Sequence, residues 1–222
     1  MDELIVYNNV TIAQEERVVL SDFNLTVRKG EFIYLLGKTG SGKSSFLRTL
    51  YGDLPLKSGS GQVCGFDLGK LRQKEIPFLR RKLGIVFQDF QLLSDRTVYD
   101  NLSFVMKATG WQDEARIRER ILDVLRKTGL EGKENKMPHE ISGGEQQRVS
   151  VARALVNEPD VILADEATGN LDPQTSEEIL QLFRSLTEAG RAVLFATHDM
   201  LVYAKYKSKT LLFENGKVVQ RD

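Results

Sequence analysis

Gly37 to Ser44 read GKTGSGKS, the densest run of chemically suggestive residues in the chain. They spell G-x-x-x-x-G-K-[ST]. Glycines at 37, 40 and 42 let backbone N–H groups curl toward phosphate oxygens, a lysine meets the β and γ phosphates, and a serine hydroxyl reaches Mg²⁺. The pattern assigns Gly37, Lys38, Thr39, Gly40, Ser41, Gly42, Lys43, Ser44 and the adjoining Ser45 to a nucleotide cradle. The motif requires a strand before it and a helix after it. The apolar run Phe32–Leu36 (FIYLL) and the stretch from about Ser44 to Tyr51 supply both.

A second chemical centre follows the apolar run Val161–Ala164. Asp165 at its end is placed to hold a Mg²⁺ shell, and Glu166 to orient or deprotonate an attacking water. Phosphoryl transfer needs metal and water positioned together, which is what a strand-end acid pair offers beside a phosphate loop. A small-molecule kinase would need an acceptor site and a lid instead.

Short apolar strands alternating with helices predict an α/β core. Strands are expected at Leu4–Val10, Val18–Val27, Phe32–Leu36, Gln62–Cys64, Leu83–Phe87, Val161–Ala164 and Ala192–Ala196, with Gly65–Asp67 as a turn. Thr210–Glu214 and Lys217–Gln220 read as a hairpin across Asn215-Gly216. Helical spacing marks Ile76–Lys82, Val98–Lys107, Asp113–Thr128, Gly144–Val156, Pro173–Ala189 and a short Leu201–Tyr206. The helical middle, residues 90–155, reads as a subdomain.

The chain has 222 residues, 41% of them hydrophobic, which is enough for one well-packed unit. Its 31 basic and 31 acidic residues cancel, giving no push toward nucleic acid. A single cysteine, Cys64, fits a reducing compartment. No apolar stretch approaches the length of a membrane span, so none is expected. Lys205, Lys207 and Lys209 read as solvated, Arg148 and Arg153 as solvated or salt-bridged, and His139 as structural.

Four further segments carry a resemblance. Ile141–Gln146 (ISGGEQ) resembles the signature loop of the ATP-binding-cassette ATPases, with Ile in place of the usual Leu. Gln88, after LGIVF, is similar to that family's Q-loop glutamine. Gly169–Asp172 (GNLD) resembles its D-loop, and His198, after AVLFA, its switch histidine. The motifs occur in family order along essentially the whole chain.

The resemblance implies one ATP-binding-cassette domain over 1–222. Its fold class is then α/β, a P-loop NTPase with an N-terminal antiparallel β subdomain and a helical subdomain at 90–155. It implies Mg-dependent hydrolysis of ATP with Glu166, His198, Gln88 and Lys43 as catalytic residues, and Ser44, Gln88 and Asp165 around Mg²⁺. Ser142, Gly143, Gly144 and Glu145 would meet the nucleotide of a second copy in a head-to-tail, ATP-bound homodimer, with Asp172 at the seam. There are two departures. Thr11–Arg17 lacks the aromatic ring that relatives often place on adenine, leaving weak cover from Ile12 or Ala13 and base choice open between ATP and GTP. Ala167 stands where relatives often have proline.

ADEATGNLD (Ala164–Asp172) and FQDFQLLSDRTVYDNL (Phe87–Leu102) resemble a bacterial branch of the family, most of all its cell-division members. That likeness implies a peripheral protein on the cytoplasmic face of the inner membrane. It would be held there by an integral membrane partner resembling FtsX, which controls peptidoglycan hydrolases. The alternative within the branch is an ATPase subunit of a lipoprotein-release or MacB-like export complex. Phe90, Leu92, Leu93, Val98 and Tyr99 divide between subdomain core and a groove for a partner helix.

Overall fold

The computed structural model describes residues 3–199 and 206–221. In chain order its elements are β1 (Glu3–Gln14), β2 (Arg17–Arg28), β3 (Phe32–Leu36), α1 (Lys43–Leu50), β4 (Ser58–Val63), β5 (Phe66–Asp67), α2 (Ile76–Arg81), β6 (Leu83–Val86), α3 (Val98–Ala108), α4 (Glu114–Lys127), α5 (Gly143–Leu155), β7 (Val161–Asp165), α6 (Pro173–Glu188), β8 (Ala192–Thr197), β9 (Lys209–Glu214) and β10 (Lys217–Arg221). The expected helix at Leu201–Tyr206 lies, but for Tyr206, outside the described residues.

One sheet is antiparallel, in the order β2-β1-β4-β5. The other runs β10-β9-β3-β8-β7-β6, with parallel pairing from β9 to β6 and β10 antiparallel at its edge. β3 is buried at all five positions and β8 at all six, as expected of parallel strands covered on both faces. The strand period of two divides their side chains. Phe32, Tyr34, Phe195, Ile162 and Ala164 face one core, and Ile33, Leu35, Leu194 and Leu163 face the other.

The first core continues without a break into α3, α4 and α5. Leu102, Met106, Ile117, Ile121 and Val149 are fully buried in it. The apolar stripe Ile117–Ile121–Val124–Leu125 is thus what docks α4. The second core fills the space between the two sheets and takes in Phe46 and Leu50 of α1. Tyr7 belongs here, its hydroxyl 2.8 Å from Thr49 Oγ1.

Several elements differ from the sequence expectation. β1 and β2 are 12 residues each, longer than their apolar stretches, because pairing continues through register shifts that absorb the polar breaks. β4 starts at Ser58, although SGSG has no strand propensity, because β1 provides a ready ladder. Cys64 leaves that strand in a left-handed turn (φ 47°), and Phe66–Asp67 forms a two-residue strand instead of a turn. Lys209 is not solvated: its ammonium donates to Thr26 O at 3.0 Å and lies 3.5 Å from Glu31.

Candidate functional site

Four adjacent parallel strands end on the same side of the sheet, and each delivers one part of the site. β3 leads into Gly37–Gly42 and α1; β8 ends just before His198; β7 ends at Asp165; β6 is followed by Gln88. Ligands of open α/β sheets bind at such carboxyl ends. The resulting cavity, about 1190 Å³, is lined by Gly40, Lys43, Ser44, Gln88, Asp165, Glu166 and His198, among others. Residues as far apart in sequence as Gln14 and Gly216 are thus brought together here.

The glycine-rich loop Gly37–Gly42 is shaped by backbone crowding. At Gly37 (φ 157°) a Cβ would lie 2.7 Å from Phe213 O and 2.5 Å from Ser41 Oγ, so only glycine fits. Gly42 precedes α1 in the left-handed region, and no side chain caps the helix. The first-turn N–H groups of α1 therefore keep their capacity to bind an anion, and the helix dipole favours negative charge there.

Lys43 is 5% exposed. Its ammonium donates to Gly37 O (2.6 Å) and Lys38 O (3.3 Å) and lies 3.5 Å from Glu166 Oε1. Glu166 Oε2 is 2.8 Å from His198 Nδ1. Glu166 itself sits in the left-handed region (φ 53°), fixed by its N–H on Ala196 O and its carbonyl on Gly169 N, both 3.0 Å. Strain of this kind in a non-glycine residue marks a constrained position.

Asp165 has a buried Oδ1 without a hydrogen-bond partner. Burial holds its carboxyl above the usual carboxylate range and Glu166 adds to this, while a hydrogen bond with Ser44 and the charge of Lys43 oppose it. A buried carboxylate oxygen left open beside a serine hydroxyl, with Gln88 lining the same cavity, is a donor set of oxygens suited to Mg²⁺.

At its other end the cavity is walled by Gln14, Arg17, Val18, Val19, Asn215 and Gly216. Ile12 does not serve as base cover: it points into the second core, fully buried. Val18, 46% exposed, is the apolar surface actually presented. Sequence reasoning missed Gln14, whose Nε2 donates to Ser45 Oγ at 3.0 Å and ties β1 to α1. It also missed Asn170 and the hairpin tip. The turn signal Asn215-Gly216 was visible, but its place above the cavity depends on β9 pairing with β3.

Ser142, Gly143, Gly144 and Glu145 lie outside the lining of this cavity. Here they close a capping box on α5. Ser142 Oγ accepts from Glu145 N (3.2 Å), and Glu145 Oε2 accepts from Ser142 N (2.8 Å). That bond and Lys133, 3.0 Å away, hold the Glu145 carboxyl below the usual range. Asp172 caps α6 similarly, accepting from Gln174 N and Thr175 N.

A second depression, about 320 Å³, lies beyond Gln88 and is lined by Arg80, Ile85, Phe87, Leu93, Phe104 and Arg153, among others. Of the five apolar residues in question, Val98 is core, Leu92 and Tyr99 pack against the core, and Leu93 lines this groove. The Phe90 ring rests beside Gly143, 3.9 Å from where a Cβ would stand. Arg148 is salt-bridged to Glu178 at 2.7 Å. Arg153 is half-buried and, among the described residues, has no salt bridge: it donates to Phe90 O at 2.8 Å and to Gln91 O, bracing two consecutive left-handed residues.

Comparison with known proteins agrees with this geometry. Residues 20–169 match the ABC transporter family. The chain is 42% identical over 214 residues to the cell division ATP-binding protein FtsE of Streptococcus pneumoniae D39, covering 96% of this chain and 90% of the relative. It is 45% identical over 204 residues to FtsE of Mycobacterium tuberculosis H37Rv, covering 92% and 88%. Among solved structures, cbiO1 of Clostridium perfringens, part of the ABC transporter complex cbiONQ, superposes with a TM-score of 0.90 at 31% identity, covering 99% of this chain and 88% of that one. The dimeric ATP-binding cassette MJ0796 bound to ADP and Pi gives 0.85 at 32%, covering 99% and 98%. The family match and these relatives establish that the chain belongs to the ATP-hydrolysing ABC transporter ATPases and is closely related to bacterial FtsE.

Proposed function

We propose that the chain binds MgATP at the strand ends and closes head to tail on a second copy around two nucleotides. Hydrolysis then drives a conformational change in a separate, FtsX-like membrane partner that regulates cell-wall hydrolysis during division. One observation carries the shared site: the cradle and the signature helix end belong to the same chain, yet Ser142–Glu145 take no part in the cavity that holds the cradle. The dimeric form of the MJ0796 cassette supports the same arrangement, and the FtsE relatives support the cell-division link.

In this reading Lys43 exchanges the Gly37 and Lys38 carbonyls and Glu166 for the β and γ phosphates. The bare first turn of α1 receives the phosphate oxygens. Ser44, Asp165 and Gln88 would hold Mg²⁺, which would supply positive charge to offset that of the phosphates. Glu166, released from Lys43 but kept by His198, places the attacking water and takes its proton. Val18 and its neighbours cover the base. The partner's cytoplasmic helix lies in the groove beyond Gln88, where Leu93, Phe87 and Phe104 offer apolar anchors. No helix among the described residues is long and apolar enough to cross a membrane, and the partner supplies the span in this reading.

The test is affinity capture of E166Q with MgATP from detergent-solubilised membranes of the native host, read by mass spectrometry. Recovery of an FtsX-like protein with hydrolase components is expected. Recovery of a lipoprotein-release or macrolide-exporter permease would overturn the division role. The shared site is tested separately by dilution. Turnover per chain should fall as the dimer dissociates, and a constant rate would sink the head-to-tail arrangement.

A further inference from the structure

Gln88 and Asn170 form a reciprocal pair across 82 positions of sequence. Asn170 Nδ2 donates to the backbone carbonyl of Gln88 at 3.2 Å, and Gln88 Nε2 donates to Asn170 Oδ1 at 3.4 Å. Both side chains line the nucleotide cavity. The backbone between them is cut to fit. A Cβ at Gly169 would stand 3.0 Å from Gln88 Nε2 and 3.4 Å from its Cδ, so the glutamine amide lies directly against a residue without a side chain.

This pairing settles which way each amide points. A backbone carbonyl only accepts, so the Asn170 amide must turn its NH₂ toward it. That leaves Asn170 Oδ1 facing the Gln88 side chain, which must answer with its own NH₂. The oxygen of the Gln88 amide is thereby the end left over. Of the two ends it alone carries the lone pairs that a cation or a water proton requires. Without Asn170 the amide of an exposed glutamine is free to rotate and present either end.

We infer that Asn170 is a positioning residue for hydrolysis: it sets the polarity of the Gln88 amide so that the carbonyl oxygen serves Mg²⁺ and water. The inference rests on the role given to Gln88 under the proposed function. The pattern is specific to an asparagine here, since alanine or serine would leave the Gln88 carbonyl or its amide without this partner.

The experiment is a double-mutant cycle on the full chain with Q88A, N170A and the double variant, plus N170D, which keeps size but loses the donor. Turnover and the Mg²⁺ concentration for half-maximal rate are read at a chain concentration where rate per chain has reached its plateau. Binding of a fluorescent ATP analogue verifies that each variant is folded. Removal of a group that orients a metal-site residue costs about 10- to 100-fold. N170A and N170D should therefore lose about 10-fold in turnover and need more Mg²⁺, and N170A should add nothing to Q88A. If N170A turns over like the parent, or its loss multiplies that of Q88A, Asn170 does not act through Gln88. If Q88A itself hydrolyses normally, the role of Gln88 falls, and this inference with it.

Discussion

Helix α1 begins on a left-handed glycine with no side-chain cap, whereas α5 begins inside a complete capping box. Both ends meet nucleotide in the proposed function, and both carry the same partial charge and the same unpaired N–H groups by virtue of being helix ends. They differ in what satisfies them when the chain is alone. The end of α1 sits on a cavity whose other walls come from its own chain. Its bare first turn suits a phosphate that arrives by diffusion. The end of α5 is answered by Ser142 and Glu145. In the proposed cycle it meets nucleotide only when a second chain brings one, so a cap from its own residues keeps the helix intact meanwhile. In that cycle a helix end is stored in a satisfied state and still serves as half of a site.

The sharpest way to break this contrast is to disable each end and measure ATP binding to the isolated chain. K43A should weaken binding by about 100-fold, the scale of a lost buried charge contact. S142A should leave it unchanged, while reducing ATP-driven dimerisation and hydrolysis. Equal losses of binding in the two variants would mean that both ends serve one nucleotide. Next in size, E166Q should cut turnover by about 100-fold or more while retaining ATP, the usual weight of a general base. Its dimer should persist in size-exclusion chromatography with MgATP, and unchanged turnover would remove Glu166 from its role.

A smaller effect concerns folding alone. Loss of the Ser142 cap should cost about 1 kcal/mol in urea denaturation. Gly42 donates no side-chain cap, so no comparable cap loss exists at α1. The smallest is pH dependence. The capping box and Lys133 depress the Glu145 carboxyl in the folded chain, so its contribution is present above the unfolded glutamate range and is lost as pH falls through the lower folded value. The stability gap between the parent and E145A should therefore shrink on acidification. A gap that stays constant from neutral pH to below the glutamate range would show that the carboxylate charge is not what caps α5.

Much of this architecture could be read in advance, for identifiable reasons. FIYLL, VILA and AVLFA are buried on both faces, and such strands announce themselves as unbroken apolar runs. Gly37–Ser44 follows FIYLL and the pair Asp165–Glu166 follows VILA, so motif and strand located each other. What escaped was pairing without local signal. β4 is a polar, glycine-rich segment made into a strand by its neighbour, and β5 is two residues long. Ile12 looks the same in sequence whether it faces a base or a core; the register of β1 decided it. Arg153 read as a surface charge because nothing local says that a strained turn 62 positions earlier would need its donors. Asn170 stood in plain view inside GNLD, but its partner is known only once β6 and β7 lie side by side.

The position of β3 has a consequence for synthesis on the ribosome. Its two sheet neighbours are β8, residues 192–197, and β9, residues 209–214. The strand that carries the phosphate loop is thus made in the first fifth of the chain, and its hydrogen-bonding partners in the last. At ordinary elongation rates the interval is on the order of ten to thirty seconds. Throughout it, FIYLL has neither edge paired and is a potential aggregation template. A nascent chain that stalls before residue 192 displays the whole cradle motif and yet has no ladder to hold it open. Native pairing of this strand, and with it the arrangement of strand ends around the cavity, thus waits for the last fifth of the chain.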